Sequence, residues 1–395
     1  MTIKELKSEF VKLYGGVKDD IRIFHSPGRV NLIGEHTDYN GGFVFPAALT
    51  MGTTIALRVT GGDILRMKAT DLPDMVEIDT NNLDAYQDLW WGNYQAGVCV
   101  ELKKEGFDIV GCDMLFDDTL PHGGGLSSSA AIEVCTALAL ATLSNEKNGI
   151  TDKIDMIKIA LIGQAAEHNY CRVNCGIMDQ FASAMGKANH AIFLDCKNLD
   201  YKLIPLEMKG CKLVITNTNK KHSLASSKYN ERRSQCEEGF TILKEALPEA
   251  KCLGDISVEM FEKTKHLIKD ETILKRITHV IYEDGRVLRS IEALESGDLA
   301  LFGKLMNESH NSLRDLYEVT GIELDTLVNE ARKIDGVLGS RMTGAGFGGS
   351  TVSIVKEDAV EEFCKKVGKG YTEKIGYAPT FYIDDIGDGG REIFD

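Results

Sequence analysis

The chain has 395 residues, 43% of them hydrophobic and 27% charged, a globular balance with length enough for two or three domains. A net charge of -15 argues against a nucleic-acid or anionic-membrane partner, either of which favours a basic face. Ten cysteines from Cys99 to Cys364, none in a CxxC pair, read as reduced thiols of a cytoplasmic protein.

In chain order, the amphipathic start "MTIKELKSEF" predicts a helix over residues 2–14 and lacks the apolar core of a signal peptide. Strands are predicted at 21–25 and 28–33, then around 43–60 and 63–69, followed by a helix from about 83 to 104. Residues 108–116 alternate like a half-buried strand that leads into a glycine-serine loop. Helices follow at about 127–144 and 152–169; the apolar run from Ala130 to Leu143 contains Glu133 and is too short to span a bilayer. Strands at 190–196 and 211–218, several helices over 224–333, and strands at 350–355 and 380–384 complete the reading. Helices and strands mix without a regular βαβ alternation, so the fold class is α+β. The boundary is placed between residues 208 and 209, giving parts 1–208 and 209–395, with the last strand returning to the first part.

Four stretches concentrate chemistry. "LPHGGGLSSSAAIEV" pours three glycines onto a serine-lined helix start. Glycines let backbone N–H groups approach an anion, and a helix N-terminus adds unpaired N–H groups and partial positive charge. A capped helix after a flexible turn has the same appearance. "MTGAGFGGSTVSIV" matches GxGxxG at Gly344, Gly346 and Gly349, but it opens into the strand-like Thr351–Val355. A dinucleotide fold requires a helix there, which leaves a hairpin turn or a loop that crowds a site. No Walker A motif is present. "SPGRVNLIGEHTDYNGG" gathers Arg29, Glu35, His36, Asp38, Tyr39 and Asn40, a set suited either to a polyhydroxylated ligand or to a solvated turn. "AEHNYCRVNCGIMDQFASAMG" places Glu167 near a helix end and Asp179 at the start of another, as a cap or as a carboxylate facing an alcohol. His168, Cys171 and Cys175 lie close together but lack a second ligand pair at zinc spacing.

Together, "GRVNLIGEHTDYN", "LPHGGGLSSSAAIEV", "VNCGIMDQF" and "SRMTGAGFGGSTV" resemble the signature motifs of galactokinases, members of the GHMP family of small-molecule kinases. "NKKHSLASSKYNERRSQCE" (219–237) is similar to the galactokinase pattern around a sugar-contacting tyrosine. The resemblance implies a GHMP kinase fold, with an N-terminal part like ribosomal protein S5 domain 2, a ferredoxin-like C-terminal part, and the active site between them. It implies ATP-dependent phosphorylation of the anomeric hydroxyl of α-D-galactose, with Mg²⁺, by a monomer. Asp179 matches the base or orienter of the sugar hydroxyl and Arg29 its charge partner. Glu35, His36, Asp38, Gly176 and Tyr229 match sugar-contacting positions. Gly123, Gly124, Gly125, Leu126, Ser127, Ser128 and Ser129 match the triphosphate loop, and Ser129 with Glu167 the metal pair. Two residues depart from the pattern. Arg172 stands where a small residue is expected, and Ser350 where relatives often carry cysteine.

Overall fold

The computed structural model describes residues 1–121, 123–220 and 225–394. His122 of the second motif, and residues 221–224 of the tyrosine-bearing stretch, lie outside these.

In chain order the strands are β1 (Arg22–Asn31), β2 (Phe43–Val44), β3 (Pro46–Val59), β4 (Ile64–Ala69), β5 (Met75–Asp79), β6 (Cys112–Asp118), β7 (His190–Asp195) and β8 (Tyr201–Pro205). They continue with β9 (Cys211–Asn217), β10 (Val337–Thr343), β11 (Ser350–Lys356), β12 (Thr380–Ile383) and β13 (Arg391–Ile393). The helices are α1 (Ile3–Tyr14), α2 (Gly92–Lys104), α3 (Ser128–Lys147), α4 (Met156–Ala166), α5 (Met178–Met185) and α6 (Ala225–Ala246). After these come α7 (Val258–Thr264), α8 (Glu271–Glu295), α9 (Leu299–Ser312), α10 (Gly321–Ala331) and α11 (Val360–Ile375).

The first sheet runs β13-β1-β3-β6-β4-β5, parallel only between β4 and β6. Its principal core is apolar packing with α2 to α5, built on Phe24, Ile55, Met114, Leu140 and Phe181, all fully buried. Burial of such side chains is the main favourable term in folding. A separate cluster joins Leu6 and Phe10 of α1 to Ile23, Ala56 and Leu115 of the sheet. Helix α1 begins in a capping box, with Glu5 N–H donating to Thr2 Oγ1 and Thr2 N–H donating to Glu5 Oε2. The second sheet, β10-β11-β9-β12, is wholly antiparallel. Helices α10 and α11 pack on it through Leu327, Phe363, Val367 and Tyr371. A third small sheet, β2-β7-β8, completes the strands. The mixture is α+β, as the sequence predicts.

One irregularity aims the site. The strands predicted at 21–25 and 28–33 are a single strand, with a register shift between Pro27 and Arg29. A Cβ on Gly28 would lie 2.5 Å from both the Leu126 carbonyl oxygen and Leu120. Glycine therefore lets β1 press against the glycine-serine loop, and Arg29 N–H donates to Leu126 O at 3.1 Å. The helix predicted from 83 to 104 is broken: a 3₁₀ turn at Leu83–Tyr86 precedes α2, which starts only at Gly92. The strand predicted at 108–116 starts at Cys112. Strand β13 pairs with β1 across the chain, Ile23 opposite Ile393. Among the described residues, no helix is long and apolar enough to cross a membrane.

Phe10 is fully buried under α1. Replacing it by alanine should cost about 3–5 kcal/mol of stability, the usual range for a buried phenylalanine. Urea unfolding followed by circular dichroism measures this, and an unchanged midpoint would show that α1 is not an integral part of the sheet's packing.

Candidate active site

The predicted phosphate loop links β6 to α3. Gly123 and Gly125 take positive φ of 67° and 69°, and Ser127 follows at 62°, left-handed values that glycine adopts freely and serine does not. The loop is held by its serines. Ser128 Oγ donates to Asp118 Oδ2 at 2.6 Å. Ser127 Oγ donates to Asp179 Oδ2 at 2.6 Å. Ser350 Oγ, the departure noted in the fourth motif, donates to the Gly124 carbonyl at 2.6 Å and so fastens that loop to this one. Helix α3 has no side-chain cap, so its first N–H groups face the loop.

Arg29 and Asp179, 150 residues apart, meet as a bidentate pair. Arg29 Nε donates to Oδ1 at 2.8 Å and Nη2 to Oδ2 at 3.0 Å. The remaining arm, Nη1, donates to the Gly125 carbonyl at 2.8 Å. Arg29 is 4% exposed and Asp179 32%, so the carboxylate is the more open of the two.

That cavity has a volume of about 270 Å³ and is lined by Arg29, Glu35, His36, Asp38, Gly176, Asp179 and Tyr229, together with Arg172 and Gly344. The first, third and fourth motifs and the tyrosine-bearing helix thus converge on one pocket. Burial, and secondarily the nearby Asp179, push the Asp38 carboxyl up to about 7. A Cβ on Gly176 would fall 1.7 Å from Asp38 Oδ2, so only glycine leaves room for that carboxylate. Tyr229, on α6, packs its ring 5.7 Å from His36 and 5.2 Å from Tyr39. Glu35 faces the pocket but gives both oxygens to the protein. Oε1 accepts from Gly344 N–H at 2.5 Å, Oε2 accepts from Asn31, and Arg341 lies 3.5 Å away. Glu35 therefore also braces the first motif against the fourth. The fourth motif is a hairpin between β10 and β11, and Gly344 brings its backbone within reach of Arg29.

Behind Asp179 sits a buried carboxylate pair. Ser129 lies against Glu167, which lies against Glu133, and burial raises both carboxyls above their usual range. Gln180 Nε2 donates to Glu133 Oε2 at 3.0 Å, while Glu133 Oε1 is buried without a partner. Hydroxyl and carboxylate oxygens are the hard donors that Mg²⁺ prefers, and an unsatisfied carboxylate oxygen beside them fits a cation. So few protein ligands also suit Mg²⁺, which takes its remaining ligands from water and substrate phosphates. His168 Nε2 lies 2.7 Å from the Cys175 carbonyl oxygen, a backbone contact.

Sequence reasoning missed a second cavity of about 530 Å³ beside the phosphate loop, lined by Leu72, Trp90, Trp91, Tyr94, Ile132 and Ser128. Trp90 is 64% exposed there, an unusual position for a large apolar ring. The doublet was a signal that could have been read: these are the only two tryptophans in the chain. Arg172 adopts the left-handed φ of 61° and ends a π-helical turn over Glu167–Cys171, so the site loop keeps a shape that usually calls for glycine. Its Nη2 donates to Gln87 Oε1 at 2.8 Å, tying the site loop to the segment before α2.

Residues 8–59 match the galactokinase galactose-binding signature, 93–187 the GHMP kinase N-terminal domain and 290–373 the GHMP kinase C-terminal domain. The chain is 49% identical to a galactokinase of Clostridium beijerinckii over 394 residues, covering 99% of each. It is 50% identical to a galactokinase of Clostridium acetobutylicum over 374 residues, 94% of each. The crystal structure of Lactococcus lactis galactokinase complexed with galactose superposes with a TM-score of 0.95 at 41% identity, over 100% of both chains. A mevalonate kinase shares the fold at a TM-score of 0.67 and 20% identity, over 93% of this chain and 99% of that one. With identity of this level along its whole length, the chain belongs to the galactokinase family and has the GHMP kinase fold.

Proposed function

We propose that the protein transfers the γ-phosphoryl group of MgATP to the anomeric hydroxyl of α-D-galactose, giving galactose 1-phosphate, the first step of the Leloir pathway. The observation that carries this reading is the Arg29 junction. One guanidinium holds the carboxylate that faces the sugar pocket and the carbonyl that closes the phosphate loop. Acceptor and donor sites then share a wall, as in-line transfer requires.

Galactose lies in the pocket bounded by Asp38, His36, Glu35, Gly176 and Tyr229. Its anomeric O–H faces Asp179, which orients the hydroxyl and accepts its proton as the new O–P bond forms and the bond to ADP breaks. Bound to Asp179 on one edge and to Gly125 on the other, Arg29 keeps positive charge beside the transferred group. Gly123, Gly124, Gly125, Leu126, Ser127 and Ser128 form the triphosphate cradle, with the N-terminus of α3 behind them. Adenine fits the aromatic slot of Trp90, Trp91 and Tyr94, which opens beside Ser128 and takes a flat apolar ring by stacking. Ser129 and Glu167 would hold Mg²⁺, which neutralises phosphate charge when bound. A cytoplasmic monomer completes the proposal, and ten unpaired cysteines support a reducing compartment.

Three outcomes test these assignments. Asp179→Asn should bind MgATP and galactose nearly normally yet lose about 10²–10⁴-fold in kcat, because an amide is a poor proton acceptor. Calorimetry beside steady-state kinetics separates binding from turnover, and near-normal kcat would remove Asp179 from the chemistry. Gly176→Ala must displace the Asp38 carboxylate. It should raise the galactose KM about tenfold or more, the effect of one disrupted buried hydrogen bond, while the ATP KM holds. Equal rises in both constants would place the damage elsewhere. Ser129→Ala and Glu167→Gln should each raise the Mg²⁺ concentration needed for half-maximal rate, with a double variant less than additive because one ion is shared. Additive losses at unchanged Mg²⁺ dependence would argue against that pair.

A further inference from the structure

Helix α8 pairs with the backbone of the first motif. It carries His279 and Glu283 one turn apart, with Asp284 beside them, all at most 8% exposed. Glu283 Oε1 accepts from Gly34 N–H at 3.0 Å, and Asp284 Oδ1 accepts from Phe43 N–H at 2.8 Å. His279 Nε2 lies 3.1 Å from the Glu35 carbonyl oxygen. Two carboxylates thus take N–H groups of the loop, and an imidazole meets the carbonyl next to the first of them.

The donor in that last contact is fixed by chemistry. A carbonyl oxygen has no hydrogen to give, so Nε2 carries one. Burial brings the His279 imidazole down to about 4, although Glu283 pulls the other way, so the ring is neutral and has a single N–H. Nδ1 is then bare, and Ser312 Oγ, 2.9 Å away, donates to it. Both ring nitrogens are satisfied, and the ring packs on Tyr317 with centroids 4.6 Å apart.

The Glu35 carbonyl matters because of the residue after it. His36 takes a φ of 63°, a left-handed value that costs energy for any residue but glycine. Peptide planes are rigid, so holding the carbonyl on each side of a residue fixes its φ and ψ. Asn40 Nδ2 donates to the His36 carbonyl at 2.8 Å from within the loop. His279, 244 residues away from Glu35 in sequence, supplies the other hold. Glu35 and His36, on either side of the held peptide, both line the 270 Å³ cavity.

We infer that His279 is a positioning residue for the sugar pocket: its Nε2–H holds the Glu35–His36 peptide in the left-handed turn that puts both side chains on the cavity wall. The inference rests on reading that cavity as the hexose site. His279 is fully buried and acts through the peptide.

Two amide replacements separate this hold from bulk packing. In His279→Gln the side-chain N–H falls near the place of Nε2 and can still reach Glu35; in His279→Asn it falls near Nδ1 and cannot. The glutamine variant should keep the galactose KM within about twofold of the wild type, while the asparagine variant raises it about five- to tenfold, the effect of one lost hydrogen bond. The ATP KM should hold in both, and kcat should stay within about threefold, since ground-state sugar binding is what weakens. Equal galactose KM values in the two variants, or a matching rise in the ATP KM, overturn the inference. Two-bond ¹H–¹⁵N spectra of histidine-labelled full-length wild type need no variant to fold. His279 should show Nδ1 bare and Nε2 protonated, and saturating galactose should shift its Nε2 signal while MgATP alone does not. An Nδ1–H form, a charged ring or a signal that ignores bound galactose overturns the inference. A wild type that shows the Nε2–H form but neither binds nor turns over galactose would instead overturn the reading of the cavity.

Discussion

Arg29 organises the site because its charge is buried and must be paired on every arm. An arginine at 4% exposure has lost most of its hydration, and only good geometry at its donors offsets that loss. Three segments meet at it: α5, which starts with Asp179, the phosphate loop through the Gly125 carbonyl, and the bulged strand β1 that carries Arg29 itself. None can shift alone without leaving a buried donor or acceptor open. Ser127 adds a second tie from the loop to the same carboxylate, at a left-handed backbone position that serine adopts only under constraint. The pair is therefore a geometrical lock between acceptor and donor sites as well as a source of charge.

A second lock joins the two halves of the chain. Glu35 is 1% exposed, and burial raises its carboxyl, opposed by the guanidinium of Arg341 and by Arg29. Arg341 is itself fully buried, and its Nη1 donates to the Asn31 carbonyl at 2.9 Å. Glu283, on α8, accepts from Gly34 N–H at 3.0 Å and from Ser309 at 2.5 Å. Against the burial that would raise it, Arg286 beside it and other neighbouring charges hold the Glu283 carboxyl down to about 2. Such a network is costly if half satisfied, which makes it a strict test of domain register. The first motif is thus held from the C-terminal side, although most residues lining the pocket, apart from Tyr229, Asn230, Gly344 and Ala345, come from the N-terminal side.

Much of this was legible because the chemistry sits in contiguous motifs with glycines at their turns. Gly176 shows why: the neighbouring Asp38 carboxylate leaves no room for a side chain, so the motif records a contact between segments far apart in sequence. The α+β class and the helices α1, α3 and α4 were readable from periodicity and caps. What sequence reasoning missed depends on long-range pairing. Strand β13 exists only because β1 offers it an edge. Strand β10, "VLGSRMT", carries glycine, serine and arginine, which mask a strand that is buried at its polar positions. The aromatic slot arises where the segment before α2 crosses the sheet, so its two tryptophans looked like part of a continuous helix. Arg172 seemed to threaten the loop shape, yet the backbone takes the left-handed turn and the side chain reaches Gln87.

The arrangement also explains how substrate choice and chemistry are coupled. The chain has no Walker lysine, so in the proposed reaction phosphate charge falls to backbone N–H groups, the helix terminus and Mg²⁺, none of which distinguishes one acceptor alcohol from another. Discrimination must then reside in the sugar pocket. There Asp38 sits directly against Gly176, three residues before Asp179. A ligand that leaves the Asp38 carboxylate unsatisfied disturbs the turn that aims α5, and α5 carries the carboxylate held by Arg29. Positioning contributes most of the barrier lowering in phosphoryl transfer, and small misplacements are costly. In the proposed reaction a wrong hexose is thus penalised twice, once in binding and once in the aim of Asp179, through a contact that any side chain at position 176 would destroy.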